Sequence, residues 1–131
     1  MECDEQVAAV CASTAGQYGQ RCLHACLSDS NERNVIFHVS DESNGGMSSS
    51  LRPFQEHMRL FPGVQHDAQD LVTTSTFDSL VASLPKGLLP DMNIVTIDAQ
   101  GMEYEILLGM RSALQHFDVV IVEVSHVPVC K

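Results

Sequence analysis

The chain has 131 residues, of which 44% are hydrophobic, and this length and composition suit one globular domain. Its net charge is −10, from 17 acidic and 7 basic residues, which argues against a nucleic-acid partner, because such proteins bind phosphates through clustered lysine and arginine. No apolar run approaches the roughly 20 residues that a membrane-spanning helix needs, so we expect no membrane partner.

The first third of the chain predicts one helix and two strands. Apolar residues recur at helical spacing from Gln6 to about Tyr18, and Gly19 ends that pattern. Arg21–Leu27 and Asn34–Ser40 have the alternation of strands, and turn-forming residues separate them. We therefore predict that these two strands pair as a hairpin.

The middle of the chain is less regular. Asp41–Ser50 is a polar loop, and Leu51–Val64 contains two prolines, with room for one helical turn around Gln55–Leu60. Leu71–Ser75 is rich in β-branched residues and predicts a strand. Thr76–Leu84 predicts a helix whose first residue is a suitable N-cap.

The clearest pattern covers residues 93–124. A short apolar run ends at Asp98, Gly101 supplies a turn, and Glu103 opens an amphipathic helix that precedes a second apolar run containing Glu123. This order predicts a βαβ unit with parallel strands. Ligands of such sheets bind beyond the carboxyl ends of the strands, so Asp98 and Glu123 are candidate site residues.

The cysteines and histidines do not predict a metal site or a disulfide framework. The chain has five cysteines, an odd number, with no CxxC pair and no zinc-finger spacing, and its six histidines show no ligand spacing. We expect reduced thiols in a cytoplasmic protein that holds no metal.

The segment VTIDAQGMEYEILLGM resembles the FkbM family of S-adenosylmethionine-dependent methyltransferases. The residues that carry the resemblance are Ile97, Asp98, Gln100, Gly101, Glu103, Leu107 and Gly109. Thr96 departs from the pattern, because the family usually has lysine there. Four further segments extend the resemblance over nearly the whole chain: Ser75–Leu80, Gly45–Leu51, Ala25–Asp29 and Met1–Gln6.

The resemblance implies an α/β fold with a Rossmann-like class I methyltransferase sheet and S-adenosylmethionine as cofactor. It implies transfer of a methyl group to a hydroxyl on a small molecule, such as a sugar or secondary metabolite, or on a glycan. Glu2 would hold the cofactor ribose, and Asp29 would lie near the adenine. Asp98 would orient the acceptor or act as base, with Glu103 and Glu123 as further catalytic residues.

Each of these residues also has a structural interpretation. Asp98 can cap the following helix, and Glu103 is favoured in a first helical turn whatever its function. Glu123 can simply be solvated at an open strand end, and Asp29 is more simply a turn residue.

The chain lacks two parts of the family pattern. No glycine-rich turn of the form acidic-x-Gly-x-x-x-Gly occurs, and the family's final strands are absent. We therefore expect residues 1–131 to be a single, partial methyltransferase domain whose sheet lacks its first strand. Unpaired strand edges invite self-association, so the alternative is a truncated, non-catalytic binding or oligomerising module. The sequence leaves open whether this chain is itself an active enzyme. A nicotinamide-binding Rossmann enzyme is disfavoured because no GxGxxG follows a strand.

Overall fold

The structure is a computed structural model that describes residues 1–40, 48–53, 57–60, 62–63, 66–85 and 93–124. Within those ranges no helix is long and apolar enough to cross a membrane. The fold is mixed α/β. Its elements in chain order are α1 (Glu5–Gly16), β1 (Cys26–Leu27), β2 (Val35–Ser40), α2 (His57–Leu60), β3 (His66–Val72), β4 (Thr74–Ser75), α3 (Phe77–Ser83), β5 (Ile94–Ile97), α4 (Glu103–Gly109), a 3-10 turn (Leu114–His116) and β6 (Val119–Val122).

The first helix begins and ends for local reasons. The Asp4 carboxylate accepts hydrogen bonds from the backbone N–H groups of Gln6 at 2.8 Å and Val7 at 3.0 Å, which satisfies two donors that a helix start leaves unpaired. Gly19 has a φ of +68°, a left-handed conformation that stops the chain from continuing as a helix. The helix predicted from Gln6 is therefore confirmed, with its last turn shorter than expected.

The predicted hairpin is wrong. β1 pairs in parallel with β4, and β2 pairs antiparallel with β3. Thr74, which is buried, provides the reason: its hydroxyl donates to the carbonyl of Ser30 at 3.0 Å and accepts from the N–H of Glu32 at 3.2 Å. These bonds fix the segment between β1 and β2 against β4, so the segment does not form the turn that would bring β1 and β2 together.

The predicted βαβ unit is confirmed. β5 and β6 run parallel, with Ile94 opposite Val119 and Ile97 opposite Val122, and α4 lies between them in sequence. The main core packs beneath this unit and contains the buried residues Phe77, Ile97, Met102, Ile106, Met110 and Ala113.

The helix α3 is attached to the segment after α4 through its first turn. The predicted cap is confirmed, because the Thr76 hydroxyl accepts from the N–H of Ser79 at 3.1 Å. The Asp78 carboxylate accepts from the N–H groups of Ser112 at 2.8 Å and Ala113 at 2.9 Å. Burial acts to raise the pKa of Asp78, but these hydrogen bonds outweigh it and hold the pKa below its usual value.

Four of the five cysteines form disulfides, which corrects the prediction of reduced thiols. Cys3 pairs with Cys26 and Cys11 pairs with Cys22, at Cα separations of 4.3 and 5.7 Å. The cytoplasmic location was predicted from reduced cysteines. Because disulfides persist chiefly in oxidising compartments, the cysteines no longer support that prediction. The spacing of cysteines along the chain could not show these pairs, because they depend on how α1 folds back towards β1.

Candidate functional site

A cleft of about 570 Å³ lies between the N-terminal segment and β5. Met1–Cys3 and Ala25–Leu27 line one side, residues 94–100 line the other, and Ser49–Leu51 also contribute. Core side chains such as Phe77 and Met102 form its apolar part. The cleft thus joins an acidic strand end to an apolar interior, as ligand sites often do.

Asp98 and Glu123 lie together at the carboxyl ends of the two parallel strands. Each follows directly after its strand, β5 or β6, and both side chains are exposed. The side-chain amide nitrogen of Gln100 donates to Asp98 Oδ1 at 3.0 Å and lies 3.4 Å from Glu123 Oε2. The structure therefore brings two of the predicted site residues into one hydrogen-bonded group.

Glu103 closes the turn between β5 and α4. Its carboxylate accepts from the N–H of Ala99 at 2.9 Å and from the N–H of Gly101 at 3.1 Å. Gly101 has a φ of +97° and Gln100 a φ of +51°, so this turn has two consecutive left-handed residues. Glu103 thus has a structural task in the turn, and its predicted catalytic role remains a prediction.

The three carboxylates are close enough to affect one another. Oxygens of Asp98, Glu103 and Glu123 all lie within 4.8 Å of each other. The pKa of Glu123 is raised, first by its hydrogen bond with Asp98, then by burial and by the charges of Asp98 and Glu103. Oxygen donors of this kind suit a divalent cation, but exposed acidic groups often cluster without one, so we assign no metal to them.

Glu2 lies across the cleft from these acidic residues. Its carboxylate oxygen Oε1 accepts from the N–H groups of Cys3 at 2.7 Å and Asp4 at 2.9 Å, which fixes the side chain at the end of a short parallel bridge to His24. Glu2 and Asp98, one residue from each predicted half of the site, line the same cleft, whereas Glu103 and Glu123 are not among the residues that line it.

Asp29 is the predicted site residue that the structure does not bring to the others. Its carboxylate accepts from the hydroxyls of Ser28 and Ser30, both at 3.1 Å, in the turn after β1. It is not among the residues that line the cleft. This geometry matches the simpler interpretation of Asp29 as a turn residue, and its contact with adenine stays a prediction.

Sequence reasoning did not identify two contributors to the site, Ser50 and the side chain of Gln100. The Ser50 side chain is 2% exposed, and its hydroxyl donates to the carbonyl of Gln100 at 2.8 Å. Two residues further along the chain, Arg52 forms an ion pair with Glu105 of α4. The run of three serines predicted a loop that could close over an acceptor, but nothing in the run distinguishes the serine that becomes buried.

Comparisons of the chain with known proteins gave a match to one family model and a partial match to one relative. Residues 8–129 match the family model described as "Methyltransferase FkbM domain". A segment of 53 residues, 40% of this chain, is 43% identical to "Hexuronic acid methyltransferase AglP" of Haloferax volcanii. That segment spans 21% of the length of the Haloferax protein. No solved structure matches the chain significantly.

Proposed function

Because the chain belongs to the FkbM family of methyltransferases, we propose that it forms part of a site for S-adenosylmethionine-dependent methyl transfer to a hydroxyl group. In this proposal β5, α4 and β6 belong to a Rossmann-like class I sheet. The acceptor binds at the Asp98–Glu123 edge of the cleft, and the cofactor lies between that edge and Glu2.

One observation carries the proposal. Asp98 and Glu123 stand at the carboxyl ends of adjacent parallel strands, and Asp98 lines a cleft that Glu2 also lines. Parallel sheets bind ligands at that end of their strands. The donor chemistry also fits the cofactor, since a carboxylate such as Glu2 can accept hydrogen bonds from two ribose hydroxyls.

The roles of the residues follow from their charges. S-adenosylmethionine supplies an electrophilic methyl group on a positively charged sulfur when it is bound. Asp98, whose side chain is exposed at the cleft, would accept the proton of the acceptor hydroxyl while the oxygen–methyl bond forms, the methyl–sulfur bond breaks and its electron pair stays on the sulfur. Glu123 is the group with the raised pKa, so it takes up a proton more readily than an ordinary glutamate. The negative charges of Asp98, Glu103 and Glu123 together favour a cation nearby.

The acceptor is proposed as a hydroxyl of a sugar, a glycan or a secondary metabolite. The Haloferax relative is named for action on a hexuronic acid, which makes sugar acids and their neutral glycosides the first acceptors to assay. A neutral hydroxyl acceptor meets less repulsion from Asp98, Glu103 and Glu123 than a sugar carboxylate does.

Calorimetric titration with S-adenosylhomocysteine tests the proposal. We expect a saturable heat, and about tenfold weaker binding for Glu2→Gln, because a charged hydrogen-bond acceptor is lost. Glu5→Gln is the matched control, since Glu5 is exposed in the first turn of α1 and does not line the cleft. No heat and no thermal shift at millimolar ligand would contradict cofactor binding by this chain.

A second candidate function is a non-catalytic module that associates with itself through the β5–β6 sheet. One face of this ribbon is apolar and open to solvent, with Ile94 56%, Val119 44% and Ile121 52% exposed. Parallel sheets are normally covered on both faces. A sedimentation coefficient that rises with protein concentration, together with no heat from S-adenosylhomocysteine, would favour this function. A monodisperse monomer would exclude it.

A further inference from the structure

We propose that Gln100 is a positioning residue, and that its neutral side-chain amide holds the carboxylates of Asp98 and Glu123 side by side at the carboxyl ends of β5 and β6. This inference rests on the proposed function, in which those two carboxylates form the acceptor side. Two of these side chains, Asp98 and Gln100, lie in the turn after β5, and the third, Glu123, follows β6.

The first step is the geometry of the amide. Gln100 Nε2 is 3.0 Å from Asp98 Oδ1 and 3.4 Å from Glu123 Oε2. A side-chain amide carries two N–H donors on this nitrogen, so one residue can serve both carboxylates. A glutamate at position 100 would have the same length but no donor when ionised, and it would add a further negative charge.

The second step is the backbone that aims the amide. Gln100 is left-handed, with a φ of +51°, which non-glycine residues seldom adopt. The buried hydroxyl of Ser50 donates to the Gln100 carbonyl at 2.8 Å. Glu103 accepts from the backbone N–H groups on either side, those of Ala99 and Gly101. The main chain is therefore fixed at position 100 and at both of its neighbours, which restricts where the side chain can reach.

The third step is electrostatic. The titratable groups that act on Glu123 are Asp98, which follows β5, and Glu103, which opens α4. Both are acids, so they favour the protonated form of Glu123. An amide that donates to a carboxylate favours its ionised form, and Gln100 thus opposes the repulsion between Asp98 and Glu123. Removing that donor should therefore favour the protonated form of Glu123 further.

The test is a pH titration of the side-chain carboxyl carbons of Asp98 and Glu123 by NMR on the full chain. We expect Gln100→Glu to raise the upper apparent pKa of the pair by about one unit, because a donor is replaced by a like charge. Gln100→Asn is the second variant: asparagine tolerates the left-handed conformation, yet its shorter side chain cannot serve both carboxylates. It should raise the same pKa by a smaller amount without adding charge.

Gln20→Glu is the matched control, because Gln20 is exposed in the segment after α1 and does not line the cleft. It adds the same charge and should leave both apparent pKa values unchanged. If Gln100→Glu and Gln100→Asn titrate like the wild type, Gln100 does not position the pair and the inference is wrong. The measurement needs neither cofactor nor acceptor, so its outcome is independent of whether S-adenosylhomocysteine binds.

Discussion

Replacing Gly109 with alanine is expected to destabilise the protein by about 3 kcal/mol, because the added methyl group has no space. A Cβ at this position would lie 2.2 Å from the carbonyl oxygen of Ser28 and 3.4 Å from the Cα of Thr76. Both are backbone atoms, so neither can move aside as a flexible side chain would. Gly109 is the last residue of α4, and its bare backbone allows that helix to lie directly against the segments after β1 and β4.

Chemical denaturation of wild type, Gly109→Ala and Gly16→Ala measures this effect. Gly16 also ends a helix, α1, but a Cβ there meets nothing within 4 Å. Gly16→Ala should therefore be neutral or stabilise the protein by up to about 1 kcal/mol, since alanine is the better helix former. Equal stability of the two variants would show that α4 does not approach the Ser28 carbonyl as described.

Replacing Asp98 with asparagine is expected to lower the rate of methyl transfer by about 10²–10³-fold, the contribution typical of a positioned general base. Asparagine keeps the size of the side chain and an oxygen that can accept from Gln100, so the turn should be preserved. It cannot take up the acceptor proton at neutral pH. Binding of S-adenosylhomocysteine should remain close to that of the wild type, which separates a chemical effect from a loss of cofactor affinity.

Asp118→Asn is the control for this substitution. Asp118 is exposed just before β6, at the opposite end of the strand from Glu123, and does not line the cleft. Transfer of an isotopically labelled methyl group to neutral and acidic glycosides gives the rates. If Asp98→Asn is as active as Asp118→Asn, Asp98 is not the base and its carboxylate serves only the turn.

The βαβ unit could be predicted from sequence because each of its parts is encoded locally. Two apolar runs and an amphipathic helix have different periodicities, and the helix separates runs that must then lie parallel. The rule that ligands bind at the carboxyl ends of parallel strands also predicts that Asp98 and Glu123 lie together. The Thr76 cap could be predicted for the same reason, since a cap involves only the next turn of helix.

Contacts between distant segments could not be predicted in this way. The hairpin of β1 and β2 was a reasonable expectation from their spacing, but hydrogen bonds from Thr74, some 40 residues away, hold the intervening segment elsewhere. The two disulfides likewise join segments whose proximity depends on the path of α1.

The candidate site shows the same division. Asp98 and Glu123 can be recognised in the sequence because they end the two apolar runs. The role of the Gln100 amide between them cannot be recognised in this way. Gln100 acquires its role from a left-handed turn and from a serine 50 residues away, which becomes buried only in the folded chain. Glu103 was predicted as a catalytic residue. Its hydrogen bonds to the turn give it a structural reason to lie beside Asp98 and Glu123.

The most direct measurement of the central claim is NMR shift mapping of the isotopically labelled chain with S-adenosylhomocysteine. The claim is that cofactor and acceptor meet in the cleft between Glu2 and Asp98. It predicts that the amide signals of Cys3 and Asp4 on one side, and of Ala99 and Gln100 on the other, shift together and saturate together. Saturable shifts confined to the other face of β5–β6, or no shifts from a folded chain at millimolar ligand, would contradict it.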